Sequence, residues 1–322
     1  MPHYVDKQAI NEHSILSACM DTAKHIIHKK ENLAYKGKNI GIAILDTGIS
    51  PVEDFLLPYN RIVAFRDFVG NKIAPYDDNG HGTHVTGIVC GNGYASGGKY
   101  QGIAPQSNII SIKILDKYGQ GNSAQAITGL RWIMDNAMKY NIRVVNLSIG
   151  TNDRKINIPL MEAVNKLWAR GITVVAAAGN PDSRRNFQPS PAISPRIITV
   201  GAWEDRRFFY QAQSQNTPIF FRRSMIPLPN IWAPGENIIS TLSPDYDFAL
   251  QNRDTAKIVE KYYIKMSGTS MATPMVSGTA ALLLEKYPHL SPDQIKRRII
   301  LSAQYGNAQT EKGLLNISAC LA

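Results

Sequence analysis

The chain reads as an α/β protein, a three-layer, doubly wound sandwich around a mainly parallel central sheet. Short apolar runs bounded by turn residues recur along it, and most are continuous rather than alternating. Such runs suit strands buried on both faces of a parallel sheet. Between them lie segments whose apolar residues follow a 3.6-residue period, so strands and helices alternate and right-handed crossovers should join them. The length of 322 residues, with 44% apolar content, is enough for one large domain with a sizeable core.

Residues 1–36 read as a mostly helical extension and residues 37–322 as the main domain. The first strand is expected at Ile40–Leu45, followed by Ile109–Leu115, Val144–Leu147, Thr173–Ala178 and Ile197–Val200. Ser123 is placed to cap a helix running to about Tyr140, with Ala126, Ile127, Leu130, Ile133, Met134 and Ala137 on one face. A second helix spans Leu160 to Arg170 and is closed by Gly171. Ser291-Pro292-Asp293-Gln294 forms a capping box with proline at the first helical position, opening a helix to about Ala303. The stretch from Trp203 to Lys265 is the least regular and is expected to supply a hairpin and surface loops. No repeat or low-complexity linker divides the chain.

The net charge is +10, and basic pairs such as Arg184-Arg185 and Arg297-Arg298 are scattered rather than interleaved with aromatics. A basic surface follows; a nucleic-acid partner does not. Cys19, Cys90 and Cys320 are odd in number and lack ligand-like spacing, which argues against a disulfide framework; Cys90 reads as a small buried hydrophobe. No stretch is apolar over the length of a membrane span, so no membrane partner is expected. The first thirty residues, with Asp6, Glu12, Asp21 and His25, hold no signal-peptide core, and the expectation is an unprocessed cytoplasmic protein.

Three segments carry chemistry. Ser270 lies in Gly268-Thr269-Ser270-Met271-Ala272-Thr273-Pro274, ahead of a long apolar segment, which puts a hydroxyl at the mouth of a buried helix. Free N–H groups and the positive end of the dipole there would stabilise an oxyanion. Asp46 follows the first strand, where reactive groups of open α/β sheets collect; taken alone it reads as a turn aspartate. His81 opens His81-Gly82-Thr83-His84-Val85-Thr86-Gly87, whose glycines permit a tight helix start. The pair His81 and His84 shares a helix face, but no glutamate or third ligand accompanies it, so zinc is not expected and His84 reads as structural.

Asp-Thr-Gly after a strand, His-Gly-Thr-His-Val-x-Gly and Gly-Thr-Ser-Met-Ala-Thr-Pro, in that order, resemble the three signatures of the subtilisin-like serine proteases. The likeness runs from about Lys38 to Gly313-Leu314-Leu315-Asn316 and is most like the intracellular bacterial members. It implies a subtilisin-like fold and a serine endopeptidase in which Ser270 attacks, His81 shuttles the proton and Asp46 orients His81. It further implies that Asn180, in Ala176-Ala177-Ala178-Gly179-Asn180, completes the oxyanion hole. Gly119-Gln120-Gly121 and Ser148-Ile149-Gly150 would flank an extended peptide substrate as added strands. Partners are then protein or peptide substrates.

The chain departs from that pattern in places. Pro274-Met275-Val276 stands where Pro-His-Val is common in the family. The segment matching its tight calcium loop, Cys90 to Lys99, is glycine-rich and has no acidic residue, so that site is expected to be absent, with Asp77 and Asp78 left as a weak alternative. No cofactor is needed for catalysis. The short extension could cover the active site. Phe187 and Pro189 suggest an apolar floor to the primary pocket, while Arg184 and Arg185 could favour acidic groups nearby. A competing reading is a dormant member that binds peptides or regulates a partner; against it, Asp46, His81, Ser270 and Asn180 are all present. An esterase of the Gly-x-Ser-x-Gly type is disfavoured by Ala272.

Overall fold

The computed structural model describes residues 20–30, 33–150, 157–179, 190–205, 229–247, 255–304 and 313–322. Seven parallel strands form the central sheet: β1 Gly41–Asp46, β2 Ile62–Asp67, β3 Asn108–Lys113, β4 Ile142–Leu147, β5 Thr173–Ala177, β6 Ile198–Ala202 and β7 Ile231–Ala233. Their order is β2-β3-β1-β4-β5-β6-β7, so the chain first winds to one side of β1 and then crosses it to build the other. The carboxyl end of β1 lies at that reversal, where open α/β sheets place their sites. Every residue of β1 is buried, which accounts for its unbroken apolar run.

Helices α3 His81–Cys90 and α6 Thr269–Lys286 pack together on one side of the sheet; α4 Ser123–Asn136 and α5 Ile158–Ala169 pair on the other. The remaining α-helices among the described residues are α1 Met20–Ile26, α2 Glu53–Leu56, α7 Pro292–Leu301 and α8 Ile317–Leu321. The helix α6 is buried on nearly all sides from Thr269 to Leu284, lying across β4, β5 and β6. It is apolar around its whole circumference because it has no solvent face to serve.

Several boundaries differ from the sequence expectation. Asp46 is the last residue of β1 rather than the first of a turn. The cap of α4 is Asn122, which forms a reciprocal box with Gln125, so Ser123 begins the helix proper. α5 starts two residues early behind an Asn157 cap, and Arg170 is its C-cap, with Gly171 following at φ 83°. The box at Ser291 and Gln294 forms as expected, though its helix ends at Leu301. The irregular stretch after Trp203 contributes more than a hairpin. It supplies β7 to the main sheet and strands β8 Ile238–Thr241, β9 Ile258–Val259 and β10 Tyr263–Met266 to a three-stranded antiparallel sheet.

The described part of the extension is docked far from the carboxyl end of β1. Ala23 and Ile27 are fully buried, the N–H of Ile317 donates to the Ile27 carbonyl, and the N–H groups of Lys36 and Gly37 donate to Glu285. Glu285 closes an 18-residue helix, about 27 Å long at 1.5 Å per residue, with Ser270 at its other end. The rest of the extension, to which the expected cover also extends, lies outside the described residues.

Candidate active site

Three elements converge at the carboxyl end of β1. Asp46 ends that strand, His81 is the first residue of α3, and Ser270 is the second residue of α6. The His81 Nδ1 lies 2.7 Å from Asp46 Oδ1; the Asp46 side chain is 1% exposed and that of His81 is 23% exposed. The buried end of the imidazole is thereby held, while the ring keeps access to solvent. The backbone N–H of Thr47 also donates to Asp46 Oδ1, at 2.8 Å.

The turn after β1 and the start of α3 meet closely because both are glycines there. A Cβ on Gly82 would lie 2.3 Å from the Gly48 carbonyl oxygen and 3.2 Å from Asp46 Cβ. Gly48 itself has φ 121°, a conformation that disfavours any side chain. The Asp-Thr-Gly and His-Gly-Thr-His motifs are thus two halves of one contact.

Ser270 lies in the first turn of α6, where the helix offers its N–H no acceptor and its dipole is positive. Four residues on, Pro274 lacks the N–H that would bond the Ser270 carbonyl. Ser148, just past β4, fills that gap by donating its Oγ to the Ser270 carbonyl at 3.0 Å. In return, Ser270 Oγ donates to the Ser148 carbonyl at 3.0 Å. The Ser270 hydroxyl is thus held on the backbone just past β4. Asn146 supports this clasp: its Nδ2 donates to Ser148 Oγ, and its Oδ1 accepts from Ser277 Oγ.

Beside these groups runs a cleft of about 480 Å³, lined by Gly119, Gln120 and Gly121 on one edge and Ile149 and Gly150 on the other. Leu115, Ala126 and Leu160 give it an apolar wall. Ser148 precedes Ile149 in the chain but turns its hydroxyl to the Ser270 carbonyl rather than lining the cleft. Asn180 lies outside the described residues; β5 ends at Ala177, and Ala178 and Gly179 leave the sheet on the side of Asp46. Arg184, Arg185, Phe187 and Pro189 are likewise outside the described residues. His84 is fully buried, its Nε2 3.0 Å from both the Ile238 and Ile264 carbonyls, so it ties α3 to β8 and β10.

Two buried charged residues at this end of the sheet have places that the sequence reading did not assign. Asp77 is wholly buried and accepts from Thr47 Oγ1 (2.8 Å), Gly80 N (2.8 Å), Asn79 N (3.2 Å), Thr83 N (2.8 Å) and Thr83 Oγ1 (2.6 Å). Lys113, also buried, donates its ammonium to the Thr47 carbonyl, Asp78 Oδ1 and the Leu115 carbonyl. The first was considered only as a weak cation ligand, together with Asp78. Its carboxylate is instead saturated by N–H and O–H donors, and Asp78 has a lysine partner. The one signal for Lys113 was a lysine inside the mostly apolar run Ile109–Leu115.

The loop after α3 also turns the wrong groups inward for a hard cation. Arg61, buried, donates to the carbonyls of Cys90 (2.6 Å), Ser107 (3.4 Å) and Asp54. The buried Asp54 carboxylate accepts from Gly93 N, Ala95 N and the Tyr263 hydroxyl. Burial pushes its acid above the usual value, although those donors and Arg61 pull the other way. A divalent ion needs free oxygens; here the carbonyls already bind a guanidinium and the carboxylate faces N–H and O–H groups. These residues do not fit the family's calcium site. Burial also pushes the Cys90 thiol at the head of this loop up to about 12, so it stays protonated.

Comparison with known proteins agrees with this geometry. The family model for the subtilase family matches residues 37–317. Serine protease AprX of Bacillus subtilis (strain 168) is 39% identical over 303 residues, covering 87% of this chain and 66% of that protein. The chain thus spans just under two thirds of that relative's length. Subtilisin DY of Bacillus licheniformis is 32% identical over 300 residues, covering 90% of this chain and 94% of that one. A crystal structure of a cold adapted subtilisin-like serine proteinase superposes with a TM-score of 0.65 at 28% identity, covering 89% and 90% of the two chains. With a matching sheet, matching motifs and a family match over most of its length, the chain belongs to the subtilase family of serine proteases.

Proposed function

We propose that this chain is a serine endopeptidase that hydrolyses protein or peptide substrates through an acyl-enzyme. Ser270 Oγ attacks the scissile carbonyl, His81 takes its proton and returns it to the leaving amine, and Asp46 holds His81 and stabilises the imidazolium. The Ser270 N–H and the Asn180 side chain receive the oxyanion. The observation that carries this reading is the 2.7 Å contact of His81 Nδ1 with a buried Asp46, set beside a helix start that bears a serine. No observation favours the dormant alternative.

The substrate is proposed to lie extended between Gly119-Gln120-Gly121 and Ser148-Ile149-Gly150, pairing with both backbones. The apolar wall of Leu115, Ala126 and Leu160 supports a preference for large apolar side chains. Catalysis needs no cofactor in this scheme, and Arg61 supplies the positive charge that a cation would bring to the loop after α3. A cytoplasmic setting suits the unpaired, buried thiols of Cys90 and Cys320.

Labelling with a fluorophosphonate and digestion of an unfolded protein test the reading together. Wild type should label and digest, and Ser270→Ala should do neither. Equal labelling of the two, or no digestion by wild type between about pH 6 and 10, would overturn it.

A further inference from the structure

The approach of Asp46 to His81 depends on more than their own contact. Thr47 follows Asp46 directly, is 1% exposed, and uses every polar group it has. Its N–H donates to Asp46 Oδ1, its carbonyl accepts from Lys113 Nζ at 2.5 Å, and its hydroxyl accepts from Gly82 N at 2.8 Å while donating to Asp77 Oδ1 at 2.8 Å. Gly82 is bonded to His81. Asp46, Thr47, Gly82 and His81 therefore form a closed ring of four links: two are peptide bonds, Asp46–Thr47 and His81–Gly82, and two are hydrogen bonds, Gly82 N to Thr47 Oγ1 and His81 Nδ1 to Asp46 Oδ1.

The hydroxyl can close that ring only in one orientation. It has one proton and must present a lone pair to Gly82 N, so its proton needs an acceptor elsewhere. Asp77 is that acceptor. The same carboxylate bonds Gly80 N and Thr83 N on either side of His81 and Gly82, so one buried anion sets both the helix start and the hydroxyl that grips it. Asp77 is wholly buried and bonded only to neutral donors, a costly arrangement for a charge with no cationic partner among those contacts. A helix cap in solvent would stabilise α3 at lower cost.

We propose that Asp77 is a positioning residue for the catalytic pair, acting through Thr47. It touches neither substrate nor the reacting atoms; it fixes the separation and angle at which Asp46 meets His81. The proposal rests on the roles given above to Asp46 and His81.

Thr47→Val, Thr47→Ser, Asp77→Asn and the double variant Thr47→Val/Asp77→Asn separate this role from simple capping. With a short peptide substrate, Thr47→Val and Asp77→Asn should each lower kcat about 10- to 100-fold, as a misplaced catalytic group does, with KM within about twofold. Thr47→Ser keeps the hydroxyl and should stay near wild type. The double variant should be no worse than the poorer single, since the two residues act in series. The low-field proton signal of the His81–Asp46 hydrogen bond should weaken in Thr47→Val and persist in Thr47→Ser. A cap that merely stabilised α3 would lower the melting temperature of Asp77→Asn and leave the kcat of Thr47→Val unchanged. That result, or additive losses in the double variant, would overturn the proposal while the protease reading stood. Should Asp77→Asn fail to fold, the Thr47 pair decides alone: equal kcat in Thr47→Val and Thr47→Ser overturns it. Wild type with no Ser270-dependent turnover would overturn both readings.

Discussion

Asn146 shows how much of the site's order resides in single buried polar groups. It is fully buried and bridges Ser277 to Ser148, which in turn grips the Ser270 carbonyl. Asn146→Leu would take from Ser148 Oγ its donor and from Ser277 Oγ its 2.7 Å acceptor, leaving the latter only a 3.4 Å contact with the Thr273 carbonyl, at a cost of about 0.5–1.5 kcal/mol for each lost bond. We expect a clear drop in the urea midpoint, together with a loss of kcat as Ser270 loosens. Lys113→Met should act similarly through stability, because it leaves Asp78 and two carbonyls without their donor. Unchanged midpoints would contradict these assignments. None of this was legible beforehand. Asp46, His81 and Ser270 stand in recognisable motifs, but nothing periodic links residues 47, 77 and 113, which meet only when β1 and β3 pair and the following loop folds back.

At the scale of elements, the contact of the β1 turn with α3 leaves no room for a methyl group. Gly82→Ala should push the helix away from Gly48, since the clash is with backbone and no side chain can yield. Peptidase kcat should fall about 10-fold or more in a protein that still folds; full activity would show that the two elements can part without harm. The loop leaving β2 is organised by Asp67. Burial raises its acid, but the N–H groups of Gly70, Val69 and Lys72 and the Tyr76 hydroxyl together outweigh that and hold it below its ordinary value. A carboxyl depressed on folding stabilises fully above its unfolded value of about 3.9 and loses that contribution as pH falls through the lower folded value. Urea midpoints measured from pH 7 down to 2 should therefore decline less steeply in Asp67→Asn than in wild type at the acid end. The five long central strands were legible as continuous apolar runs. β2 was not, because as an edge strand it is partly exposed at all but one of its residues, and β7 was too short, at three residues, to show any pattern.

For the molecule as a whole, the Arg61 cradle predicts indifference to calcium. A ligand at a hundred times its Kd adds about 2.7 kcal/mol to stability, and about 2–4 °C per kcal/mol is usual for domains somewhat smaller than this one. An occupied structural site would therefore shift melting by several degrees. In Ser270→Ala, used to prevent self-digestion, melting temperatures in excess calcium and in chelator should agree. Arg61→Met should melt lower in both, because three carbonyls lose their donor. A calcium-dependent rise in the parent protein would place a cation where the hydrogen bonds leave no room for one. The fold class and its parallel sheet were legible because burial on two faces writes itself into composition. The guanidinium cradle was not, since Arg61 lies far in sequence from the Cys90 and Ser107 carbonyls it binds.

The central position of α6 also imposes an order in time. This helix covers β4, β5 and β6, yet it comes after residue 268 of a chain built from its amino terminus. While it is still missing, one side of those strands lacks its apolar partner, and Asp46 and His81 lack the serine they are proposed to activate. The last large piece to arrive seals the core and, on the roles proposed above, completes the catalytic set. A nascent or truncated chain ending before Gly268 should thus be exposed and, on the same roles, unable to cut a protein that holds it.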